Sequence, residues 1–296
     1  MAGLPPRRPA ARGTRLPEAV AAVRRALVTA SLKDFGVRAA SALVLGAVML
    51  GSLFFAGVWG LAVVAAIIAS GAMWEFVQLT RRGRTLPEEM PALAGIAALP
   101  FAAAAWGPTG LLAAGSVLVV AMLVRHVLVR QLRLADTAVT VFGAAYIGLG
   151  ASHLLLMRRL EDGVMLVLAT IMSVWANDVF AYLAGSSFGR RPLAPRISPK
   201  KTWEGLAAGT VGTTAAWLGI GSLGTDLAFG PLVAVGLVAS LAAVFGDLVE
   251  SRFKREAQVK DSGALLPGHG GMLDRFDSFL VVTIVVYHVL LAVGAR

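Results

Sequence analysis

Cysteine is missing from this chain of 296 residues. Neither a disulfide framework nor a thiolate metal site is therefore available, and any bound metal must be held by oxygen or by histidine. Charged residues are also scarce, at 15% of the chain against 57% hydrophobic residues, and the apolar residues fall in long runs. A soluble domain carries more charge and interrupts such runs, so the composition predicts a polytopic membrane protein.

Nine apolar runs are each near the ~20 residues that a helix needs to cross hydrocarbon. They are 37–57, 58–79, 91–106, 109–130, 136–157, 163–186, 205–224, 229–250 and 275–294. The third run is short and contains Pro100, so a kinked or re-entrant segment and an eight-span chain stay open. We expect an all-α, polytopic helical membrane protein with about nine transmembrane helices.

The basic residues indicate the orientation. With a cytoplasmic N-terminus, the cytoplasmic side holds 24 of the 27 Lys and Arg residues, and the opposite side keeps Arg158, Arg159 and Arg296. Because cytoplasmic loops are enriched in Lys and Arg, we predict that the N-terminus is cytoplasmic. The net charge of +10 then serves insertion and attraction to anionic membrane lipids, and no nucleic acid is expected as a partner.

Polar residues divide the chain into three parts. Residues 1–36 are predicted to form a basic cytoplasmic tail, either disordered or an amphipathic helix on the membrane surface. Residues 37–160 are interpreted as an N-terminal transmembrane scaffold half, and residues 161–296 as a C-terminal transmembrane catalytic half. Glu75 is the polar exception in the scaffold half, and it is either a solvated or helix-paired group or a catalytic acid.

Two polar blocks follow residue 170. Asp178 lies inside the sixth predicted span, where an Asp costs about 2.5–3.5 kcal/mol, so it is either functional or hydrogen-bonded to a neighbouring helix. The loop 192–205 is stiffened by three prolines and carries cations suited to phosphate oxygens. Its lysines, Lys200 and Lys201, also fit a simple insertion signal, and Thr202 also fits a helix cap.

A third block closes the chain's polar region. Four residues spaced i, i+3, i+4 and i+7 share one face of the eighth predicted helix, and they are Asp247, Glu250, Ser251 and Lys254. Asp274 and Asp277 begin the ninth, where an acid can cap the helix, but divalent-cation ligation explains so many acids at one face better. His269 lies between glycines and is either an exposed turn residue or a donor to phosphate.

The run from Ser251 to Asp277 resembles the signature of phosphatidate cytidylyltransferases, also called CDP-diacylglycerol synthases. It contains Ser-x-x-Lys-Arg, then Lys-Asp, then His-Gly-Gly-x-x-Asp-Arg-x-Asp. Segments 177–189 and 197–205 are similar to that family's other polar blocks, and the first half is similar mainly in its pattern of spans and at Trp74-Glu75.

The resemblance implies a nucleotidyltransferase of phospholipid biosynthesis. In that reaction phosphatidic acid attacks the α-phosphorus of CTP, and CDP-diacylglycerol and pyrophosphate are the products. The resemblance also implies dependence on one or two Mg²⁺ ions and a multi-pass location in a bacterial inner membrane with the active site on the cytoplasmic side. A homodimer is expected from the resemblance alone.

Site residues follow from the three blocks and the resemblance together. We expect these residues to be catalytic: Asp247, Asp274, Lys254 and His269. We expect Asp247 and Asp274 to hold the metal, with Asp277 and Asp178 as nearby carboxylates. The residues expected to bind substrate are Ser198, Lys200, Lys201, Ser251, Arg255, Lys260 and Arg275.

Two other functions stay open at this point. A CTP-dependent lipid kinase would transfer the γ-phosphoryl group to an alcohol and release CDP, and it would need a base to activate the hydroxyl. A transporter would place Asp178 and Asp247 along an ion path, but it would distribute its polar groups across the membrane. The products formed from CTP distinguish the cytidylyltransferase from the kinase, and movement of an ion or lipid without CTP would indicate the transporter.

Overall fold

The structure is a computed structural model that describes residue 36 and residues 40–83, 85–266, 268 and 270–296. The predicted basic tail therefore lies outside the described residues, apart from Gly36. The described part of the chain is mostly helical. The helices are α1 (Ala40–Phe55), α2 (Gly57–Arg82), α3 (Glu89–Leu128), α4 (Leu134–Gly143), α5 (Leu149–Arg158), α6 (Gly163–Phe188), α7 (Trp203–Gly224), α8 (Phe229–Glu256) and α9 (Leu273–Ala292).

Among the described residues, seven helical rods are long and apolar enough to cross a membrane, and one of them joins α4 to α5 through the π-helical turn Ala144–Gly148. The prediction of a polytopic helical membrane protein is confirmed. The predicted count of nine transmembrane helices is not confirmed. In the described part of the chain, seven rods have the length and apolar character needed to cross a membrane, and α1 is shorter than these rods.

Helix α3 is broken into a hairpin. Its 40 residues would extend about 60 Å if straight, twice the ~30 Å of bilayer hydrocarbon. Gly107 interrupts it with φ 64° and ψ −145°, a conformation that glycine adopts readily. The two halves return side by side, since Arg125 contacts Glu88 and Leu118 packs against Gly95. They correspond to the predicted spans 91–106 and 109–130.

The break in α3 leaves a carbonyl oxygen without its helical partner. Ala104 O would accept from the N–H of residue 108 in a continuous helix, but Pro108 has no N–H. Arg159 Nη1 donates to Ala104 O at 2.6 Å instead. The apex of the hairpin is thereby tied to the end of α5.

Small residues let α6 and α7 pack closely. A Cβ added to Gly209 would lie 2.7 Å from Asn177 Oδ1, so only glycine allows this approach. Asn177 Oδ1 also accepts a hydrogen bond from Ser240 Oγ of α8 at 3.1 Å. Close approach at small residues and shared side-chain hydrogen bonds are the usual means of holding helices together in a membrane.

A short β-hairpin separates α6 from α7. Its strands, β1 (Pro192–Ala194) and β2 (Ser198–Thr202), are antiparallel. Thr202 Oγ1 accepts the N–H of Gly205 at 3.1 Å. Thr202 is therefore the N-cap of α7, which is the helix cap that the sequence left open. The tip of the hairpin is held by Arg255 of α8, whose Nε donates to Ile197 O at 3.1 Å.

Candidate active site

The polar blocks found in the sequence lie together at one end of the helix bundle. Lys201 of β2 and Asp247 of α8 form an ion pair in which Nζ lies 2.5 Å from Oδ2. The other oxygen of Asp247 accepts a hydrogen bond from Ser251 Oγ at 3.1 Å, one turn further along α8. The proline-stiffened loop and the acidic face of α8 therefore meet at one place.

Lys254 lies between two carboxylates. Its Nζ is 2.8 Å from Asp274 Oδ1 on α9 and 2.5 Å from Glu250 Oε2, one turn earlier on α8. Glu250 is fully buried, and Lys254 Nζ is the cation beside its carboxylate. The ammonium of Lys254 thus supplies the charge compensation that keeps a buried carboxylate tolerable.

Asp274 is held on both of its oxygens. While Oδ1 faces Lys254, Oδ2 accepts the backbone N–H groups of Ser262 at 2.9 Å and Gly271 at 3.0 Å. Both donors belong to the loop between α8 and α9. The loop therefore determines the orientation of the Asp274 carboxylate.

Glu75 of α2 reaches the same loop from the scaffold half. Its side chain is fully buried, and Oε2 accepts the N–H of Leu273 at 2.8 Å and the hydroxyl of Ser262 at 3.3 Å. Oε1 accepts the N–H of Leu265 at 3.4 Å. The reading of Glu75 as a solvated group is wrong, because it is paired with the start of α9 and with the loop.

Two cavities open beside these pairs. The first, about 290 Å³, lies under the β-hairpin and is lined by Asp178, Lys201 and Asp247 together with Ser198 and Lys200; we call it the hairpin cavity. Asp178 also lines the second cavity and so stands between the two.

The second cavity, about 230 Å³, lies between α1, α6 and α9, and we call it the α1 cavity. Its polar side carries Asp178, Arg275 and Asp277, while the remaining wall is mostly apolar and includes Met49 and Trp175. This combination of charged and apolar walls suits a ligand with a charged end and an apolar body.

Three carboxylates influence one another across this region. The buried Asp277 interacts electrostatically with Asp247 and Asp178, and Lys201 opposes their charge. The Oδ1 of Asp277 also accepts the N–H of Ser278 at 2.6 Å. Lys201 and Arg275 supply positive charge beside Asp178.

The oxygen ligands present suit Mg²⁺ bound together with a phosphate. Within the ranges that the structure describes, no three His, Asp or Glu side chains are placed to hold one metal ion. Mg²⁺ is usually bound by one or two carboxylates, several waters and substrate phosphates, so a complete protein cage is not required. Asp247 and Asp274 each face a lysine, which would have to yield to the ion.

The remaining predicted site residues differ in where they lie relative to the two cavities. Arg255 is exposed and makes its hydrogen bond to the hairpin tip. Lys260 is exposed and, as far as the described residues define them, lines neither cavity. His269 lies outside the described residues. Two partners of Glu75 are the backbone N–H groups of Leu265 and Leu273, 190 and 198 residues away. The sequence signals for Glu75 were an acid inside an apolar span and the resemblance at Trp74-Glu75.

Fold and site together define a polytopic helical membrane protein whose lysine–carboxylate pairs gather at one end of the bundle. Residues 36–293 match the sequence profile of the cytidylyltransferase family. The chain belongs to that family. The resemblance drawn from the three polar blocks is confirmed.

Similar proteins carry a more specific name. The chain is 45% identical to a phosphatidate cytidylyltransferase of Mycobacterium leprae over 159 residues, and this segment covers 53% of this chain and 50% of the relative. It is 40% identical over 149 residues to one of Staphylococcus saprophyticus, 50% of this chain and 56% of the relative. A chloroplastic phosphatidate cytidylyltransferase of Arabidopsis thaliana is 45% identical over 126 residues, 42% of this chain and 31% of the relative. The matched segment spans about half the length of the bacterial relatives and less of the plant one.

Proposed function

We propose that this protein is a phosphatidate cytidylyltransferase that transfers CMP from CTP to phosphatidic acid and releases pyrophosphate. The observation that carries the proposal is the pair of lysine–carboxylate contacts, Lys201 with Asp247 and Lys254 with Asp274, at one end of a membrane bundle. Membership of the cytidylyltransferase family and the names of the relatives support it.

The reaction asks little of the protein in acid–base chemistry. An oxygen of the phosphatidate phosphate, already anionic at neutral pH, forms a bond to the α-phosphorus of CTP. The bond from that phosphorus to the oxygen bridging the β-phosphate breaks, and pyrophosphate leaves with the electron pair. Catalysis then rests on alignment and on neutralising phosphate charge, which fixed lysines supply.

The two cavities divide the substrates. CTP phosphates would occupy the hairpin cavity, where Ser198, Lys200 and Lys201 offer a hydroxyl and two ammonium groups. Phosphatidic acid would occupy the α1 cavity, with its phosphate near Arg275 and its acyl chains against the apolar wall. Because Asp178 lines both cavities, the two phosphates would meet beside it.

Mg²⁺, as one ion or two, would be held by Asp247 and Asp274 together with the CTP phosphates, with Asp178 and Asp277 as nearby carboxylates. When bound, the metal supplies positive charge to the phosphates. Lys201 and Lys254 already approach these carboxylates, so each is within reach of a phosphate that binds there. Ser251 keeps the Asp247 carboxylate in its orientation.

The site is assigned to the cytoplasmic face of a bacterial inner membrane. In the predicted topology, the face that carries both polar loops also holds 24 of 27 Lys and Arg residues, which supports a cytoplasmic face. CTP is available there. A homodimer stays a prediction.

The products identify the reaction directly. Purified protein in detergent is incubated with phosphatidic acid, Mg²⁺ and CTP labelled separately at the α- and γ-phosphates. We expect α label in the lipid and release of labelled pyrophosphate from γ-labelled CTP. Lipid carrying γ label would identify a lipid kinase, and CTP-independent movement of an ion or lipid in proteoliposomes would identify a transporter.

A further inference from the structure

Glu75 is a buried acid that the reaction described above does not use. It lies in α2, in the half of the chain with few polar groups inside the membrane, and its side chain is fully buried. Buried polar groups persist where their hydrogen bonds are made, and an unmade one is costly. The partners of Glu75 therefore indicate what it is for.

The hydrogen bonds of Glu75 are made at both ends of the segment 262–273, in the loop between α8 and α9. The carboxylate accepts from Ser262 Oγ and Leu265 N at the start of the segment 262–273, and from Leu273 N at its end. Leu273 is the first residue of α9, whose opening N–H groups have no partner within the helix and carry partial positive charge. Glu75 thus caps α9 from a helix about 200 residues earlier in the chain.

The same segment holds Asp274 from its other side. Ser262 donates its hydroxyl to Glu75 and its backbone N–H to Asp274 Oδ2, at 3.3 Å and 2.9 Å. One residue therefore links the two carboxylates. Displacement of the loop from Glu75 would move this donor away from Asp274, which also pairs with Lys254.

The loop backbone at Gly271 lies close to the carboxylates of both Glu75 and Asp274. A Cβ added to Gly271 would lie 2.5 Å from Glu75 Oε2 and 2.9 Å from Asp274 Oδ2. A Cβ added to Gly263 would lie 2.3 Å from Glu75 Oε1. Glycine at these positions gives both carboxylates access to backbone N–H groups.

We propose that Glu75 is a positioning residue for the transfer reaction, because it fixes the segment 262–273 and through it the orientation of Asp274. This inference rests on the proposed function. With this role, a residue of the scaffold half would help to orient the Asp274 carboxylate of the catalytic half.

The test compares two buried acids of the scaffold half. Glu75→Gln keeps the shape of the side chain but replaces one acceptor oxygen with an NH₂ group that cannot accept. Asp136→Asn is the control, since Asp136 is also buried and accepts the N–H of Leu86 at 2.7 Å and the guanidinium of Arg133, and its hydrogen bonds within the described residues lie outside the segment 262–273. Loss of a group that orients a metal ligand typically costs about 10–100-fold in activity.

We expect E75Q to lower kcat for CDP-diacylglycerol formation by about 10–100-fold, while D136N stays near wild type in protein that elutes as one species with a matched melting temperature. A purely structural role predicts normal kcat in the folded fraction. Ser262→Ala removes only one donor to Glu75, so it serves if E75Q fails to fold, and it should cause a smaller loss that is not additive with E75Q.

Two further readouts separate positioning from general damage. In single-turnover assays with excess enzyme, E75Q should cause no additional loss when Asp274→Asn is already present, since both act through one carboxylate. Backbone amide exchange in 262–273 should be faster in E75Q and unchanged in D136N. A full further loss in the D274N background, or wild-type kcat in E75Q, would overturn the inference.

Failure of the proposed function has a different signature. Wild-type protein that transfers no CMP with active lipid and metal controls refutes the function. The exchange measurement still tests whether Glu75 holds the loop, and unchanged exchange in E75Q would refute the inference by itself.

Discussion

Lys201 on the β-hairpin and Asp247 on α8 form an ion pair in which Nζ and Oδ2 are 2.5 Å apart. The side chains keep 22% and 36% of their exposure, so the pair remains reachable from the hairpin cavity. Lys201 and Asp247 are separated along the chain by the whole of α7 and most of α8. The contact therefore joins the predicted phosphate-binding loop to the predicted metal ligand.

Asp247→Asn should lower the rate of CMP transfer by about 100-fold or more, because it removes charge placed next to the reacting phosphates. The control is Asp226→Asn, an exposed acid between α7 and α8 that should leave the rate unchanged. Initial rates at limiting Mg²⁺ provide the measurement. Near-normal turnover of D247N under those conditions would show that the assignment of Asp247 is wrong.

Lys254→Met should destabilise the protein by about 3–5 kcal/mol, because it leaves buried carboxylates without a counter-charge. Glu250 is fully buried and Lys254 is 18% exposed, so solvent screens this pair weakly. Unfolding in mixed detergent micelles measures the change. Adding Glu250→Gln to K254M should recover part of the loss.

The matched control has the same helical spacing at the surface. Arg252 and Glu256 also lie four residues apart on α8, but their side chains are 59% and 60% exposed. Arg252→Met should cost about 0.5 kcal/mol or less, as is usual for exposed pairs. Equal losses in K254M and R252M would mean that burial does not decide the value of the Lys254 pair.

Gly209→Ala should destabilise the contact between α6 and α7 by about 1–3 kcal/mol, since the added methyl meets Asn177 at 2.7 Å. Gly219, further along α7, has nothing within 4 Å of an added Cβ. Gly219→Ala should therefore be neutral or stabilise by about 0.5–1 kcal/mol through helix propensity. Melting temperatures of the two variants in one detergent test the opposite signs.

Removal of divalent metal should abolish CMP transfer, and added Mg²⁺ should restore it. Loss of an outer partner of a metal ligand already costs about 10–100-fold in affinity, so Asp274→Asn should raise the Mg²⁺ concentration for half-maximal activity at least as much. The Mg²⁺ titration uses D226N as its control. Full activity in the presence of a chelator would exclude the proposed metal requirement.

Local spacing predicted one side of the site well. Positions i, i+3, i+4 and i+7 on α8 share a face, and the contacts of Ser251 with Asp247 and of Lys254 with Glu250 follow from that spacing. The spans were predictable for a similar reason, because a helix that crosses a bilayer needs a long apolar run. Both features depend only on neighbouring residues.

Features that depend on distant backbone were not predictable. Glu75 binds N–H groups of residues 265 and 273, and such groups carry no signal in the sequence. The strands of the β-hairpin have three and five residues and include prolines, too short for a recognisable alternating pattern. Arg255 was expected to bind substrate, and its hydrogen bond to Ile197 O depends on where the hairpin tip lies.

The turn at Gly107 also constrains how the chain is threaded through the bilayer. Because Glu88 and Arg125 meet, both ends of the α3 hairpin emerge at the same surface. The hairpin thus contributes an even number of crossings, whatever depth its apex reaches. Shortening it by equal lengths from both arms would preserve the sidedness of every later loop, including the two that build the site.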